Sequence, residues 1–314
     1  MKTKKGFFIV FILVSSIIFS QEIIPVDTSY TVHRSFEKYK KNFPQIEIVN
    51  PQLCQNVIKK REIIYKEIGE RKLHLDAFYN KSEQLKPAVI LVHGGGWKSG
   101  NKSHMEPLAQ KIASKGYACF TVEYRLSIEA IFPEGIYDIK RAIQFIKANA
   151  SEFYIDTKKV AVLGCSSGGQ MAALIGTTNN NSVFEETENS YNQSSAVQAI
   201  IDLDGVLAFK HPESKEDVVA GLWLGGSYEE IPEIWKDASA LTHTNENTPP
   251  ILFIGSQYPR FLAGRDDMIK ILDQYGIYSQ VESIEKSPHT FWLFHPWFDK
   301  TVEYITNFLS KTLN

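Results

Sequence analysis

Two glycine-rich turns hold the residues in this sequence most able to do nucleophilic chemistry. The first is Gly164-Cys165-Ser166-Ser167-Gly168-Gly169, which directly follows an apolar run at 160–163 and directly precedes an amphipathic stretch at 168–176. A serine at the tip of a tight strand-to-helix turn is exposed for attack, and glycines two residues to either side avoid collisions with neighbouring backbone. The Ser166 hydroxyl then sits at the positive end of the following helix, which favours the oxyanion formed when the serine attacks a carbonyl. The second turn is His93-Gly94-Gly95-Gly96-Trp97, immediately after the apolar run 88–92. Three consecutive glycines expose backbone N–H groups to a developing negative oxygen. The carboxyl end of a central strand is also where α/β sheets bind ligands.

These turns need a rigid frame, and the pattern of the chain supplies one. Apolar runs at 88–92, 118–124, 160–163, 198–203, 251–254 and 280–284 read as buried strands. An opening hairpin is expected at 63–68 and 72–79, with Leu73, Leu75 and Ala77 on one face. Between the strands, residues 104–115, 137–149, 168–176, 266–275 and 298–312 carry apolar side chains at three- and four-residue spacing and read as helices. This alternation predicts an α/β fold with helices on both faces of a mostly parallel sheet. Three segments fall outside it. Residues 21–60 form a polar N-terminal extension, 177–195 read as a surface loop, and 211–246, with Trp223 and Trp235, are the small insertion expected to cover a site.

An HGGGW box about 70 residues before a G-x-S-x-G-G elbow resembles the α/β-hydrolase superfamily, in its hormone-sensitive-lipase-like and carbohydrate-esterase branches. The resemblance covers roughly residues 60–314, and Trp97-Lys98-Ser99-Gly100, Tyr124-Arg125-Leu126 and Phe132-Pro133 leading to Asp138 agree with it. It implies the α/β-hydrolase fold, with a catalytic domain at 61–314 and Ser166 as nucleophile. It also implies an oxyanion hole formed by the N–H groups of Gly95, Gly96 and Ser167, with His93 and Trp97 shaping the loop. A serine hydroxyl needs a base, and the family order of nucleophile, acid and histidine points to His289 in Ser287-Pro288-His289-Thr290-Phe291-Trp292. His295 is the rival, set beside Pro296 in an aromatic cluster.

The acid departs from the family pattern. Tyr258 stands where an aspartate is expected after the strand 251–254, and the next carboxylates are Asp266 and Asp267. Upstream, Asp204 closes the strand 198–203 where related sequences often carry an aromatic residue, as if acid and aromatic were exchanged. The triad is defined by geometry rather than chain order, so Asp204 is the first candidate. Asp266 is the alternative, its position at a helix start being equally explained as a cap, and Asp202 alternates to the opposite face. Trp292 and Trp297 flank His289; aromatic faces suit sugar rings, so Trp97 and Trp292 are the candidate substrate-binding residues.

Composition narrows the function further. Residues 1–20 carry Lys2, Lys4 and Lys5 ahead of an uncharged apolar run from Phe7 to Phe19, the pattern of a signal peptide. Removing them leaves 31 basic and 36 acidic side chains, a balance unlike that of a nucleic-acid binder. Three cysteines, Cys54, Cys119 and Cys165, are too few for a disulfide-built protein. No histidine pair has ligand spacing on a common element, so no metal site is expected; there is no GxxxxGK phosphate loop, and no cofactor is expected. The expectation is a secreted or periplasmic serine esterase that deacetylates or otherwise de-esterifies a plant-type polysaccharide or oligosaccharide. It would have no stable membrane insertion after signal cleavage and no nucleic-acid partner. A general short-chain carboxylesterase and a non-catalytic ligand-binding homologue are the alternatives.

Overall fold

The computed structural model describes residues 27–313 apart from 53 and 188–190; the expected signal peptide at 1–20 lies outside the described residues. The long sheet contains β2 (Ile58–Ile68), β3 (Arg71–Tyr79), β4 (Lys86–Val92), β5 (Ala118–Val122), β6 (Ile155–Cys165), β7 (Ala199–Leu203), β8 (Ile251–Gly255) and β9 (Ser279–Ser283). Its spatial order is β2-β3-β5-β4-β6-β7-β8-β9, antiparallel across the first two pairings and parallel from β5 onward. This is the α/β-hydrolase fold. A separate two-stranded ribbon joins β1 (Glu47–Ile48) to β10 (Phe294–His295).

Strand alternation builds two cores. Ala88, Ile90 and Val92 of β4 face one, and Val89 and Leu91 face the other. The first core is covered by α3 (Glu134–Ala148), with the short α4 (Ala150–Phe153) behind it, and by α5 (Ser167–Thr177), through side chains such as Ile139, Ile143 and Leu174. The second is covered by α2 (Glu106–Ala113) and the C-terminal α9 (Phe298–Leu313), whose Val302, Ile305, Phe308 and Leu309 recur at helical spacing. Each such side chain contributes about 1.5–3 kcal/mol when fully withdrawn from water. At the edge, β9 alternates half-buried and exposed residues, so the run at 280–284 is not a buried strand. It has a neighbour on one side only.

The N-terminal extension is built into the second core. Its helix α1 (Val32–Lys40) is capped by Thr31, whose Oγ1 accepts from the Arg34 amide at 3.1 Å. Phe43, Ile46 and Val49 are buried beyond it. The expected surface loop at 177–195 is also tied down. Phe184 is buried, and Glu185 and Glu186 pair with Lys140 at 3.1 Å and Arg141 at 2.8 Å.

Asp138, fully buried in α3, joins three elements. It accepts from the Arg125 amide at 3.0 Å, from Arg125 Nε and Nη2 at 2.8 Å each, and from Lys66 Nζ of β2 at 2.7 Å. Removing one partner of such a network strands buried charge, at about 3–5 kcal/mol. Asp138→Ala should therefore lower the unfolding free energy by about that amount in urea titration. A midpoint shift below 1 kcal/mol equivalent would show that the network is not holding these elements together.

Candidate active site

The carboxyl ends of β4, β6, β7 and β8 converge on one patch. Ser166 sits between β6 and α5 at φ 55° and ψ −124°, a positive-φ conformation outside the left-handed helical region and seldom adopted by L-residues. The turn is this tight because two neighbours lack side chains. A Cβ on Gly164 would lie 1.9 Å from the Gly168 carbonyl oxygen, and one on Gly168 would lie 2.3 Å from that of Val92. The Ser166 amide donates to Leu203 O at 2.8 Å, fixing the nucleophile turn to β7.

Asp204 follows β7 and also has positive φ, 52°. Its amide donates to Ile254 O at 3.1 Å, and its Oδ1 accepts from the Ser256 amide at 2.8 Å. The remaining oxygen, Oδ2, lies 2.8 Å from His289 Nδ1, and His289 Nε2 lies 2.8 Å from Ser166 Oγ. The Asp204 side chain is completely buried and that of His289 is 12% exposed. With Nδ1–H donating to the carboxylate, Nε2 is left as the acceptor for the serine hydroxyl, the arrangement a general base requires.

The other acids are elsewhere. Asp266, at the start of α8 (Arg265–Gln274), has a 69% exposed side chain paired with Arg265 at 2.8 Å, and so is not the partner of His289. Asp202 is buried on the opposite face, where its Oδ1 accepts from the Gly205 amide at 2.8 Å. Burial raises its carboxyl well above the usual range, and the negative Asp204 nearby adds to that. His295 has a 39% exposed side chain, 3.9 Å from Asp299.

The oxyanion loop is held from below. His93 is stacked on Tyr124 at 4.5 Å, its Nδ1 is 2.9 Å from Gly94 O, and the Tyr124 hydroxyl donates to His93 O at 2.8 Å. Burial lowers the His93 pKa to about 3, so its ring stays neutral at ordinary pH. Gly95 and Gly96 line a cavity of about 210 Å³ together with Ser166 and His289. The Ser167 amide opens α5, where first-turn N–H groups have no intrahelical acceptor.

Both tryptophans expected to bind substrate are packing residues. Trp97 is 2% exposed, donates to Gln170 Oε1 at 2.9 Å and stacks on Trp223 at 5.2 Å. Trp292 is equally buried, its ring edge-on to His289 at 5.5 Å. Neither lines the cavity. Large flat side chains gain most from full burial, and here both rings pack behind the two loops that carry Gly95, Gly96 and His289. The insertion is likewise a buttress. Its helix α6 (Asp217–Leu224) sets Trp223 under Trp97 and leaves Val219 Cγ1 3.2 Å from where a Gly96 Cβ would be, while α7 (Pro232–Asp237) buries Trp235.

The cavity is instead walled by the N-terminal segment, through Tyr30, Arg34, Ser35, Lys38 and Tyr39. Burial pushes the Tyr39 hydroxyl up to about 12, with Tyr258 and Asp204 adding to the shift, so it stays protonated. The apolar spacing Val32, Phe36, Tyr39 and Phe43 marks an amphipathic helix in the sequence. Nothing in that spacing says where the helix docks. Phe261 is a second residue that sequence reasoning missed, its ring stacked on His289 with centroids 3.4 Å apart.

A sequence profile of the BD-FAE family matches residues 75–260, more than half of the chain. The chain belongs to the BD-FAE family. It is thereby a member of the α/β-hydrolase superfamily. The match spans Gly95, Gly96, Ser166 and Asp204 but stops before His289 and excludes α1. This BD-FAE member is 29% identical over 188 residues to Esterase LipC of Mycobacterium tuberculosis, covering 57% of this chain and 46% of that protein. It is 28% identical over 237 residues to the probable carboxylic ester hydrolase LipM of the same organism, covering 72% and 52%. The chain thus spans about half the length of the curated relatives it matches. Among solved structures, a truncated carbohydrate esterase from gut microbiota superposes with TM-score 0.69 at 21% identity, covering 83% of this chain and 99% of that one. A thermophilic esterase of Thermogutta terrifontis, Est2, gives 0.66 at 21% identity, with 83% and 94% coverage. At these identities the structural likeness speaks for the fold alone.

The stacked Phe261 limits rotation of the His289 ring between Asp204 and Ser166. An aromatic pair of this kind contributes about 0.5–1.5 kcal/mol beyond burial, equivalent to roughly two- to twelvefold in rate if spent on ring orientation. Phe261→Ala should lower kcat on an activated ester by about that factor, with Phe261→Leu between the two. Equal kcat in all three proteins would mean that Asp204 orients the ring unaided.

Proposed function

We propose that this BD-FAE member is an exported serine esterase that removes a short acyl group, acetyl foremost, from a carbohydrate alcohol. The observation that carries the proposal is the unbroken Asp204–His289–Ser166 hydrogen-bond chain, which ends at the cavity that Gly95 and Gly96 also line. In this reading His289 Nε2 takes the Ser166 proton as Oγ bonds to the ester carbonyl carbon, and the oxyanion forms against the amides of Gly95, Gly96 and Ser167. The carbon–oxygen bond to the alcohol then breaks, and His289 passes its proton to the departing oxygen. Water attacks the acyl-serine, gives its proton to His289, and the acid leaves as Ser166 regains its hydrogen.

Two features support a short acyl group on a sugar. At about 210 Å³ the cavity is below the size that encloses a drug-sized ligand. Its lining is rich in hydroxyl-bearing residues, Ser29, Tyr30, Ser35, Tyr39 and Thr290, although Thr290 Oγ1 already donates to Ser35 Oγ; such a polar lining suits a sugar better than a fatty chain. The named carbohydrate esterase of the same fold agrees by analogy. Export rests on Lys2, Lys4 and Lys5 ahead of the apolar run Phe7 to Phe19. Among the described residues no helix is long and apolar enough to cross a membrane.

The test is hydrolysis of p-nitrophenyl acetate, butyrate and decanoate beside acetate release from acetylated xylo-oligosaccharides. Acetate turnover on both acetyl substrates with a steep fall toward decanoate is the expected result. Turnover of the p-nitrophenyl esters alone would favour a general short-chain carboxylesterase. No turnover would overturn the esterase reading.

A further inference from the structure

The wall that α1 adds to the cavity carries two cations. Arg34 and Lys38 lie one helical turn apart, so they share a face of α1, and both line the cavity that holds Ser166 and His289. Both side chains are exposed, and among the described residues no carboxylate pairs with either. Two other nearby cations are paired, Lys98 with Asp27 at 3.7 Å and Arg260 with Glu216 at 2.5 Å, whereas the Lys38 ammonium lies over the Tyr39 ring, 5.1 Å from its centroid. Like charges four residues apart oppose helix formation only modestly, and Glu37, three residues after Arg34, offsets part of that within α1.

The helix that presents them is fixed. The Tyr30 amide donates to Ser99 Oγ at 2.9 Å, Thr290 Oγ1 donates to Ser35 Oγ at 3.5 Å, and Phe36 packs on Phe294 at 6.3 Å. The last two contacts tie α1 to the segment that carries His289. The cations are therefore held at a set position relative to the nucleophile, on a chain whose acidic side chains outnumber its basic ones. A positive rim on such a chain raises the local concentration of anionic substrate.

Building on the esterase reading, we propose that Arg34 and Lys38 form an anion subsite for a carboxylate on the alcohol part of the substrate, so that the ester attacked is carried by an acidic sugar. The assignment to the alcohol part follows from size. A cavity of about 210 Å³ has room for the scissile ester, a short acyl group and the adjoining part of the alcohol, so in this proposal the rest of the alcohol extends past α1 into solvent. Arginine offers a planar two-point contact to a carboxylate, and lysine a point charge beside it.

The experiment compares kcat/KM on an O-acetylated methyl galacturonoside with that on its neutral galactoside counterpart, with p-nitrophenyl hydrogen succinate against p-nitrophenyl acetate as the acyl-side control. The wild-type protein should prefer the uronoside by about tenfold, the scale of two solvent-accessible ion pairs acting together. That ratio should fall toward one in Arg34→Gln/Lys38→Gln and with rising sodium chloride. It should persist in the charge-retaining Arg34→Lys/Lys38→Arg, which separates recognition of charge from a structural role. A wild-type ratio near one, or a ratio unmoved by the double glutamine variant, overturns the subsite while turnover of p-nitrophenyl acetate leaves the esterase reading standing. Preference for the succinate ester alone overturns the acidic-sugar assignment. No turnover of any ester overturns both.

Discussion

Ser166→Ala should lower kcat on p-nitrophenyl acetate by about 10⁵-fold or more, with the fold intact. The size of the loss follows from how the three side chains act. The base, the acid and the hydroxyl form one unit, and removing the nucleophile costs about as much as removing all of them. The alanine removes only the 2.8 Å contact to His289 Nε2 and keeps the backbone that Leu203 O holds. Surface-type stability changes, within about ±0.5 kcal/mol, are therefore expected. A stopped-flow trace should lose its burst of p-nitrophenol, and an organophosphonate probe should no longer label the protein. Retention of more than a few per cent of activity would place the nucleophile elsewhere.

Asp204→Asn should lower kcat by about 10³–10⁴-fold, the scale expected when a triad histidine is held in the wrong tautomer. The asparagine Oδ1 can still accept from the Ser256 amide, so the side chain keeps its place. Its NH₂ group would then face His289 Nδ1, forcing that nitrogen to accept and moving the ring proton to Nε2. A ring protonated at Nε2 cannot take the proton of Ser166. Asp266→Asn is the control. Its carboxylate is bound to Arg265 at the surface, which holds its pKa below the usual range, and its loss should leave kcat within about twofold. A large loss in Asp266→Asn with little in Asp204→Asn would reverse the assignment of the acid.

The two aspartates show how far local pattern reaches. Asp204 at the end of an apolar run ranks ahead of Asp266 at the start of an amphipathic one in the sequence, but both are natural positions for a carboxylate and neither excludes the other. What separates them is that β7 lies beside β6 and β8 in the sheet, so the residue after β7 emerges next to the nucleophile elbow and under His289. That adjacency comes from the register of parallel strands, whose paired residues lie 38 apart in the chain between β6 and β7 and 51 apart between β7 and β8. No short segment encodes it.

The tryptophans make the same point in the other direction. Proximity in sequence to His93 or His289 made Trp97 and Trp292 plausible sugar platforms. The structure turns both rings into packing, because Trp223 and Gln170 receive the first and Phe291 meets the second edge-on. An aromatic ring next to a catalytic loop is stabilised by burial wherever a matching surface exists, and only the packed structure tells which surface that is.

By itself the sequence determined the parts that depend on short-range order. The alternating strands and helices, the elbow with Ser166, the glycine loop at Gly95 and Gly96, and the histidine after the last strand of the long sheet all follow from residue type over a few positions. Tertiary structure alone decided which acid meets His289, that Phe261 stacks on it, and that α1 rather than 211–246 walls the cavity. Local order is set by backbone sterics and periodic burial, which act within one element. The remaining choices depend on which surfaces of distant elements fit together, a property of the whole packed chain.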